Sequence, residues 1–494
     1  MIGQIASARE HLPGGGRFAR PTRPLPVWTA GTVAAAIVLG VLVGKGHAKF
    51  ALLPVAGLVV FVFARVPWAG YLAILVSVAT AFDAVAPPEV GLSSLQFLPA
   101  ELLLWASLAC LMFMSNPLRG VWGALAARRE SVALGAFLLA VIGGVVVGVA
   151  HGASVHDAAF DMRLMLFYAA FWPALAALAL PSSRRQVFRL VAACVVVVVA
   201  LQAAQVIIGP ATSLFWIAPS DVASTLTSDT TGFLRVRPPG LTLVYVGAAF
   251  SLACLLWGPR RHRRAAWVMS AVTLSGVVLS LNRNMLIGLA LGLSVAALVA
   301  PQRRRFVVMA ATLVVIFTSL VTIGNSAVGS NAVASRITSI TNYSELKTQT
   351  LDDRYYENRI ATARIHAHPI LGLGWGPPYG AVLQSSDDGV VVTQVRPFMH
   401  EQYLWIWMRA GIAGLLALLT ALAFGLLNGL RWFRARWAAG DGWLGAGVVV
   451  ALVAQAASSN VAIYLTPPDS VVPLVGVLAL AAVLRRELAL LKRR

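Results

Sequence analysis

Long apolar runs, separated by short basic connections, recur from Val27 nearly to the C-terminus and leave few folds open to this chain. Most run for about 16–22 residues, the length a helix needs to cross a hydrocarbon layer. In lipid only helices and closed barrels satisfy every backbone polar group, and the alternating pattern of barrel strands is absent. Composition agrees: 59% of the residues are hydrophobic and 12% charged, against a charged share of about 25% in soluble domains. The expected fold class is therefore an all-α polytopic integral membrane protein. It has about 12–14 transmembrane helices and one long, partly helical extracytoplasmic loop.

The runs predict spans at 27–44, 50–64, 71–86, 97–114, 131–150, 164–180, 187–208, 238–257, 265–281, 285–300, 306–323, 401–427, 443–462 and 470–484. The second and third are short enough to be tilted or re-entrant, which is why the count has a lower bound. Residues 1–26 read as a basic cytoplasmic lead, 27–323 as the main transmembrane region and 324–400 as an extracytoplasmic loop carrying active-site elements. Residues 401–484 read as the C-terminal transmembrane helices and 485–494 as a basic cytoplasmic tail. The first run has no convincing cleavage site, so it is expected to stay as a span.

A formal charge of +20 raises the question of nucleic acid. With the N-terminus inside, 26 of the 39 Lys and Arg residues fall on cytoplasmic connections, whereas 15 of the 19 acids fall outside. That asymmetry is the positive-inside rule, so the charge reports topology and no nucleic-acid partner is expected. Lys45 and Lys49 depart from it on a short outer turn. Cys110, Cys194 and Cys254 lie in or near spans, have no metal-ligand spacing and read as apolar thiols.

The polar residues gather in three outer segments: 151–163, 209–237 and 324–400. In the last, Asp352 to His366 has helical spacing and is stopped by Pro369. Gly372, Gly374 and Gly376 follow a helix with no strand before them, so they read as a tight turn close to backbone and not as a dinucleotide loop. His400 stands at the outer mouth of a span, ahead of Tyr403, Trp405 and Trp407. An aromatic belt accounts for the tryptophans. It does not account for His400, Glu401 and Arg409 within three turns, since ionisable groups there are costly. Glu401 and Arg409 fall on about one face, which allows an ion pair.

Arg283 sits in a connection of about three residues on the outer side, where a guanidinium fork suits an anionic headgroup. Arg237 is held in extended backbone by Pro238 and Pro239, and Arg235 faces the opposite side if the alternation is strand-like. Arg354, Arg359 and Arg364 follow one another along the loop helix, with Asp352, Asp353 and Glu357 as local counter-charges. His366 and His368 are too few for a metal set. No P-loop, no Ser-His-Asp order and no paired carboxylates are evident, and no cofactor or metal is expected.

Together these residues resemble the O-antigen ligase and polymerase superfamily of bacterial envelope enzymes. The ligases carry a His, usually followed by Asn, then nine residues and Gly-x-x-Gly. Here His400-Glu401 is followed by Gln402 to Ala410 and Gly411-Ile-Ala-Gly414, with Glu401 replacing the Asn. Arg354 to His368-Pro369-Ile-Leu-Gly372-Leu-Gly374 resembles the loop signature, and Arg283 and Arg237 to Gly240 resemble two arginine motifs. The similarity covers about 230–420.

The resemblance implies a metal-independent, inverting glycosyltransferase of the bacterial cytoplasmic membrane, with its active site on the extracytoplasmic face. It implies a polyprenyl diphosphate-linked glycan donor and a glycan or glycolipid acceptor among membrane lipids. His400 would be the general base, and Arg283 and Arg237 would bind the diphosphate. Arg354, Arg359, Arg235, Glu401 and His368 would contact substrate. A polymerase of the same superfamily is the sister reading. A lipid-linked glycan transporter is a different class, and the absence of internal repeats speaks against it.

Overall fold

In the computed structural model the residues described are 63, 66–79, 90–92, 95–97, 99–112, 129–209, 214, 226–228, 234–280, 282–300, 349–380, 382–387, 390–395 and 399–493. All lie in one compact unit, residues 62–494. The expected spans 27–44 and 306–323, and all of 50–64 but Phe63, lie outside the described residues.

The other spans are helices: α1 (Pro67–Ala79), α2 (Pro99–Met112), α3 (Arg129–Ala150), α4 (Val155–Met162), α5 (Phe171–Leu178), α6 (Pro181–Ile208), α7 (Leu241–Trp257), α8 (Arg263–Leu279) and α9 (Arg283–Val299). After the loop helix α10 (Gln349–Ala367) come α11 (Gln402–Arg436), α12 (Trp443–Ser458) and α13 (Pro468–Leu491). Among the described residues, Arg129–Ala150, Val155–Leu178, Pro181–Ile208 and Gln402–Arg436 are long and apolar enough to cross a membrane by length and composition, and shorter apolar helices pack beside them. The all-α polytopic class is what the chain adopts.

Local sequence sets the ends and breaks of these helices. Pro181 and Pro468 open α6 and α13 at positions where an N–H has no helical partner anyway. The run expected at 164–180 is not one α-helix. Arg163–Ala170 is a 3-10 helix leading into α5. Pro173 falls in the first turn of α5, where a backbone N–H has no partner within that helix and its absence costs little.

α13 is the central helix, buried from Ser470 to Leu484. The apolar side chains Leu139, Ile142 and Val146 of α3, and Val196, Val197 and Ile207 of α6, are exposed and face where lipid belongs. Where helices touch most closely they do so through glycine. A Cβ on Gly288 or Gly292 of α9 would lie 2.6 Å from the Ala454 or Val450 carbonyl oxygen of α12, so the two backbones meet with no side chain between them.

Helix directions sort the polar groups to two ends. At one, Arg485 reaches Glu130 (3.0 Å), Asn428 also donates to Glu130, Arg184 grips Glu487 with two bonds (2.6 and 3.2 Å), and Arg436 holds Asp441. This is the end of the basic connections. At the other, α7, α9, α11 and α13 begin and α12 ends. There the Gln402 backbone N–H donates to Ser459 O (3.1 Å), Thr466 donates to the Gln402 side chain, Asn282 donates to Tyr464, and Thr242 meets Ser470 at 2.8 Å. The segment 459–470 thus ties four helix starts together.

Among the described residues three antiparallel hairpins sit in the connections: β1 (Val90–Leu92) with β2 (Leu95–Phe97), β3 (Leu226–Ser228) with β4 (Leu234–Val236), and β5 (Val382–Asp387) with β6 (Val390–Val395). The isolated short runs around them carry too little alternation to stand out. Cys110 and Cys254 are buried, and none of the three cysteines is in a disulfide.

Candidate active site

The loop helix expected over Asp352 to His366 is observed as α10, ending one residue before His368-Pro369. Its buried stripe is Glu357, Ala361 and Ile365, at spacing i, i+4, i+8. Ala361 and Ile365 pack with Leu373, Tyr379, Met399, Trp405 and Met408 into a small core separate from the main one. That core docks α10 onto the first turns of α11, while Tyr355, Arg359, Arg364 and His366 stay exposed.

The docking delivers a carboxylate to His400. Glu357 has 0% of its side chain exposed and His400 has 25%. One Glu357 oxygen, Oε2, lies 3.0 Å from His400 Nδ1 and accepts the His400 backbone N–H at 3.2 Å. An ionised carboxylate only accepts, so a neutral imidazole held this way carries its proton on Nδ1 and its basic lone pair on Nε2.

The glycine-rich turn after α10 is seated against α3 and α11, and its backbone bonds explain the motif. Gly411 has φ +72° and ψ 176°, which breaks the helical path inside α11. Ile412 N–H, freed from the Met408 carbonyl that an α-helix would give it, donates to Ile370 O (3.0 Å). The released Met408 oxygen accepts Leu373 N–H (2.6 Å). Trp375 N–H donates to Gly144 O (3.0 Å), and the Trp375 indole to Val141 O (2.8 Å). Gly411 lies about 14 Å along the axis from Gln402. The turn therefore packs deep beside the apolar helices α3 and α11, and its irregular backbone is tolerated there because protein groups satisfy it. Gly372, Gly374 and Gly376 have φ between +72° and +91°, and a Cβ on Gly374 would lie 2.2 Å from Gly148 N.

Arg409 clamps the same turn. It is 2% exposed, donates to Gly374 O (2.8 Å) and Pro377 O (2.7 Å), and stands 4.3 Å from the Trp405 ring centroid. Asp161 lies 3.9 Å from its guanidinium and accepts Gly376 N–H (3.1 Å). The ion pair that the sequence allowed between Glu401 and Arg409 does not form. Eight residues separate them by about 12 Å along a helix, and the turn's carbonyls take the guanidinium. Glu401 instead caps α11, its carboxylate accepting Leu404 N–H at 2.5 Å. It lies one residue ahead of the helix, and burial holds its carboxyl above the ordinary range, with bonds from the Leu404 and Tyr403 backbones opposing that shift. Asn is a strong capping residue too, which gives a physical reason for either at this place. Glu401→Ala is expected to cost about 1 kcal/mol of stability, and Glu401→Asn to restore both stability and transfer; thermal melts and transfer rates of the two variants check this.

Arg283 is the first residue of α9, after the buried N-cap Asn282. Arg237 is exposed directly after β4, and Pro238 and Pro239 lead it into α7 through Gly240 at φ +80°. Arg235 is the middle residue of β4, opposite Thr227. Arg354 is half-buried on α10 and Arg359 exposed. The His368 ring lies 4.5 Å from that of His151, whose Nδ1 is 2.9 Å from Leu373 O. The elements carrying Arg237, Arg283 and His400 thus begin at one end of the bundle. Glu357 was legible only as a counter-charge. The missed signal was a carboxylate at the head of an apolar i, i+4 stripe. Among the described residues no three His, Cys, Asp or Glu side chains gather into a possible metal set.

Fold and site define a class: a polytopic helical membrane protein with a buried carboxylate–histidine pair and arginine-bearing helix starts at the end opposite its basic connections. Residues 268–419 match the family model described as Wzy_C, O-antigen ligase. That segment runs from α8 into α11 and contains Arg283, α10, the glycine turn, His400 and Gly411 to Gly414. The match supports placement in the O-antigen ligase superfamily and a function of the membrane glycan ligase or polymerase type. No curated protein matches the chain.

Proposed function

We propose that the protein ligates a glycan from a polyprenyl diphosphate carrier to a glycan or glycolipid acceptor at the outer face of the cytoplasmic membrane. His400 takes the proton of the attacking acceptor hydroxyl. Arg237 and Arg283 bind the diphosphate and neutralise the charge that grows on it as the glycosidic bond breaks, which is the largest contribution such a site can make. Attack from the face opposite the leaving group inverts the anomeric carbon, and no metal takes part. Arg235, Arg354, Arg359, Glu401 and His368 border the donor, and α10 covers it against water.

The observation that supports this reading best is the pinning of His400 to a buried carboxylate at the end where the Arg237 and Arg283 elements begin. A base must be oriented, and a diphosphate needs fixed cations close by.

The test uses purified protein in vesicles and lipid-linked glycan extracted from producing cells, with farnesyl diphosphate as a competitor. Arg237→Ala and Arg283→Ala are each expected to slow transfer by about 10²–10³-fold, and farnesyl diphosphate is expected to inhibit them less than the parent. Transfer is expected to persist in EDTA. Near-parental transfer by both variants would end the diphosphate assignment. A reporter fused at residue 360 is expected outside the cytoplasm.

A further inference from the structure

We infer that Glu357, on the loop helix, is the positioning residue that makes His400 a directed base. This rests on the reading of His400 as the proton acceptor.

Three observations carry it. The carboxylate is wholly buried, although glutamate is among the residues least often found so. The same Oε2 meets both Nδ1 and the backbone N–H of His400, which fixes the ring about its Cα and not merely its tip. And Glu357 heads the stripe whose next two members, Ala361 and Ile365, form the core that seats α10 on α11. The base and its orienting group therefore come from different elements, one from the membrane helix mouth and one from the loop. Docking the loop completes the pair.

In the transfer step the acceptor O–H proton passes to His400 Nε2. The acceptor oxygen forms its bond to the anomeric carbon, and the bond from that carbon to the diphosphate oxygen breaks with its electron pair leaving on the diphosphate. The imidazolium then holds a proton on each nitrogen until water removes one. Glu357 stays ionised throughout. It keeps the Nδ1–H tautomer before the step and offsets the imidazolium charge after it, the arrangement by which a carboxylate serves a histidine base in hydrolytic triads.

Glu357→Gln preserves volume and can still accept the His400 backbone N–H, so α10 stays docked. Its amide can equally donate to Nδ1, which admits the wrong tautomer. The expected kinetics are a fall in kcat of about 10²–10⁴-fold with KM for the extracted lipid-linked glycan within about threefold of the parent. Glu357→Asp is expected to recover part of the rate. A purely structural glutamate would lower the amount of active protein without this split. Nitrogen-15 spectra of histidine-labelled protein, with the His400 signal assigned by its loss in His400→Ala, give a readout independent of turnover. They are expected to show Nδ1–H in the parent and a mixture in Glu357→Gln.

A parental kcat in Glu357→Gln beside an inactive His400→Ala overturns the inference and leaves the base intact. Full activity in His400→Ala removes the base itself. Should Glu357→Gln not accumulate folded, the parent spectrum decides, because an Nε2–H tautomer there overturns the inference directly.

Discussion

Gly148→Ala is expected to leave little folded protein. The added Cβ would stand 1.8 Å from the Trp375 carbonyl oxygen and 2.8 Å from its backbone nitrogen. Both are main-chain atoms and have no rotamer to escape into. Relief requires the glycine turn to lift from α3, and lifting it forfeits the Trp375 bonds to Gly144 and Val141. It also withdraws the Gly374 and Pro377 carbonyls from Arg409, leaving a buried guanidinium without its main acceptors. Overpacking costs about 1–3 kcal/mol, each lost hydrogen bond about 0.5–1.5 kcal/mol, and a buried charge stripped of partners more than that. The sum is comparable with the whole stability of a typical domain. Gly143→Ala supplies the control: the same helix, and no atom within 4 Å of the new Cβ. The expected result is a normal melt for Gly143→Ala in detergent and a collapsed or absent transition for Gly148→Ala. Equal melts would mean that the turn is not seated on α3.

Among the described residues most of the expected spans were legible, because lipid imposes one solution on an apolar run of sufficient length, whatever its neighbours. The loop helix was legible from its spacing, and the tight path of Gly372 to Gly376 from the glycines themselves. The partners were not legible. Gly144 and Gly148 lie in an apolar run where glycine is common, and nothing local says that Trp375 will lie across them. Arg409 had a carboxylate eight residues away to pair with, yet backbone carbonyls 32 and 35 residues distant in sequence hold it. Long-range satisfaction of a buried charge depends on which elements meet, and a period in one helix carries no record of that. Glu357 belongs to the same category: as a surface counter-charge it is unremarked, and only the docking of α10 turns it inward.

The prediction with the largest effect on chemistry is His400→Ala. The ring is a quarter exposed, and the backbone N–H that binds Glu357 survives the substitution, so the fold should persist. Glu357 loses one of its bonds, at a cost of about 1–3 kcal/mol. What disappears is the proposed proton acceptor. General-base removal typically slows a reaction by about 10²–10⁴-fold, and the arginines proposed to bind the donor and stabilise the departing diphosphate remain. His400→Ala is therefore expected to lose transfer while farnesyl diphosphate competes with the donor as well as it does in the parent. Arg283→Ala is expected to show the reverse emphasis, with competition weakened along with rate. That contrast tests the two proposed roles separately: a variant without the base should bind and not turn over, and a variant without the guanidinium should keep a base beside a poorly held leaving group. If His400→Ala weakens farnesyl diphosphate competition as much as Arg283→Ala does, the imidazole serves the leaving group, and the proton must go elsewhere.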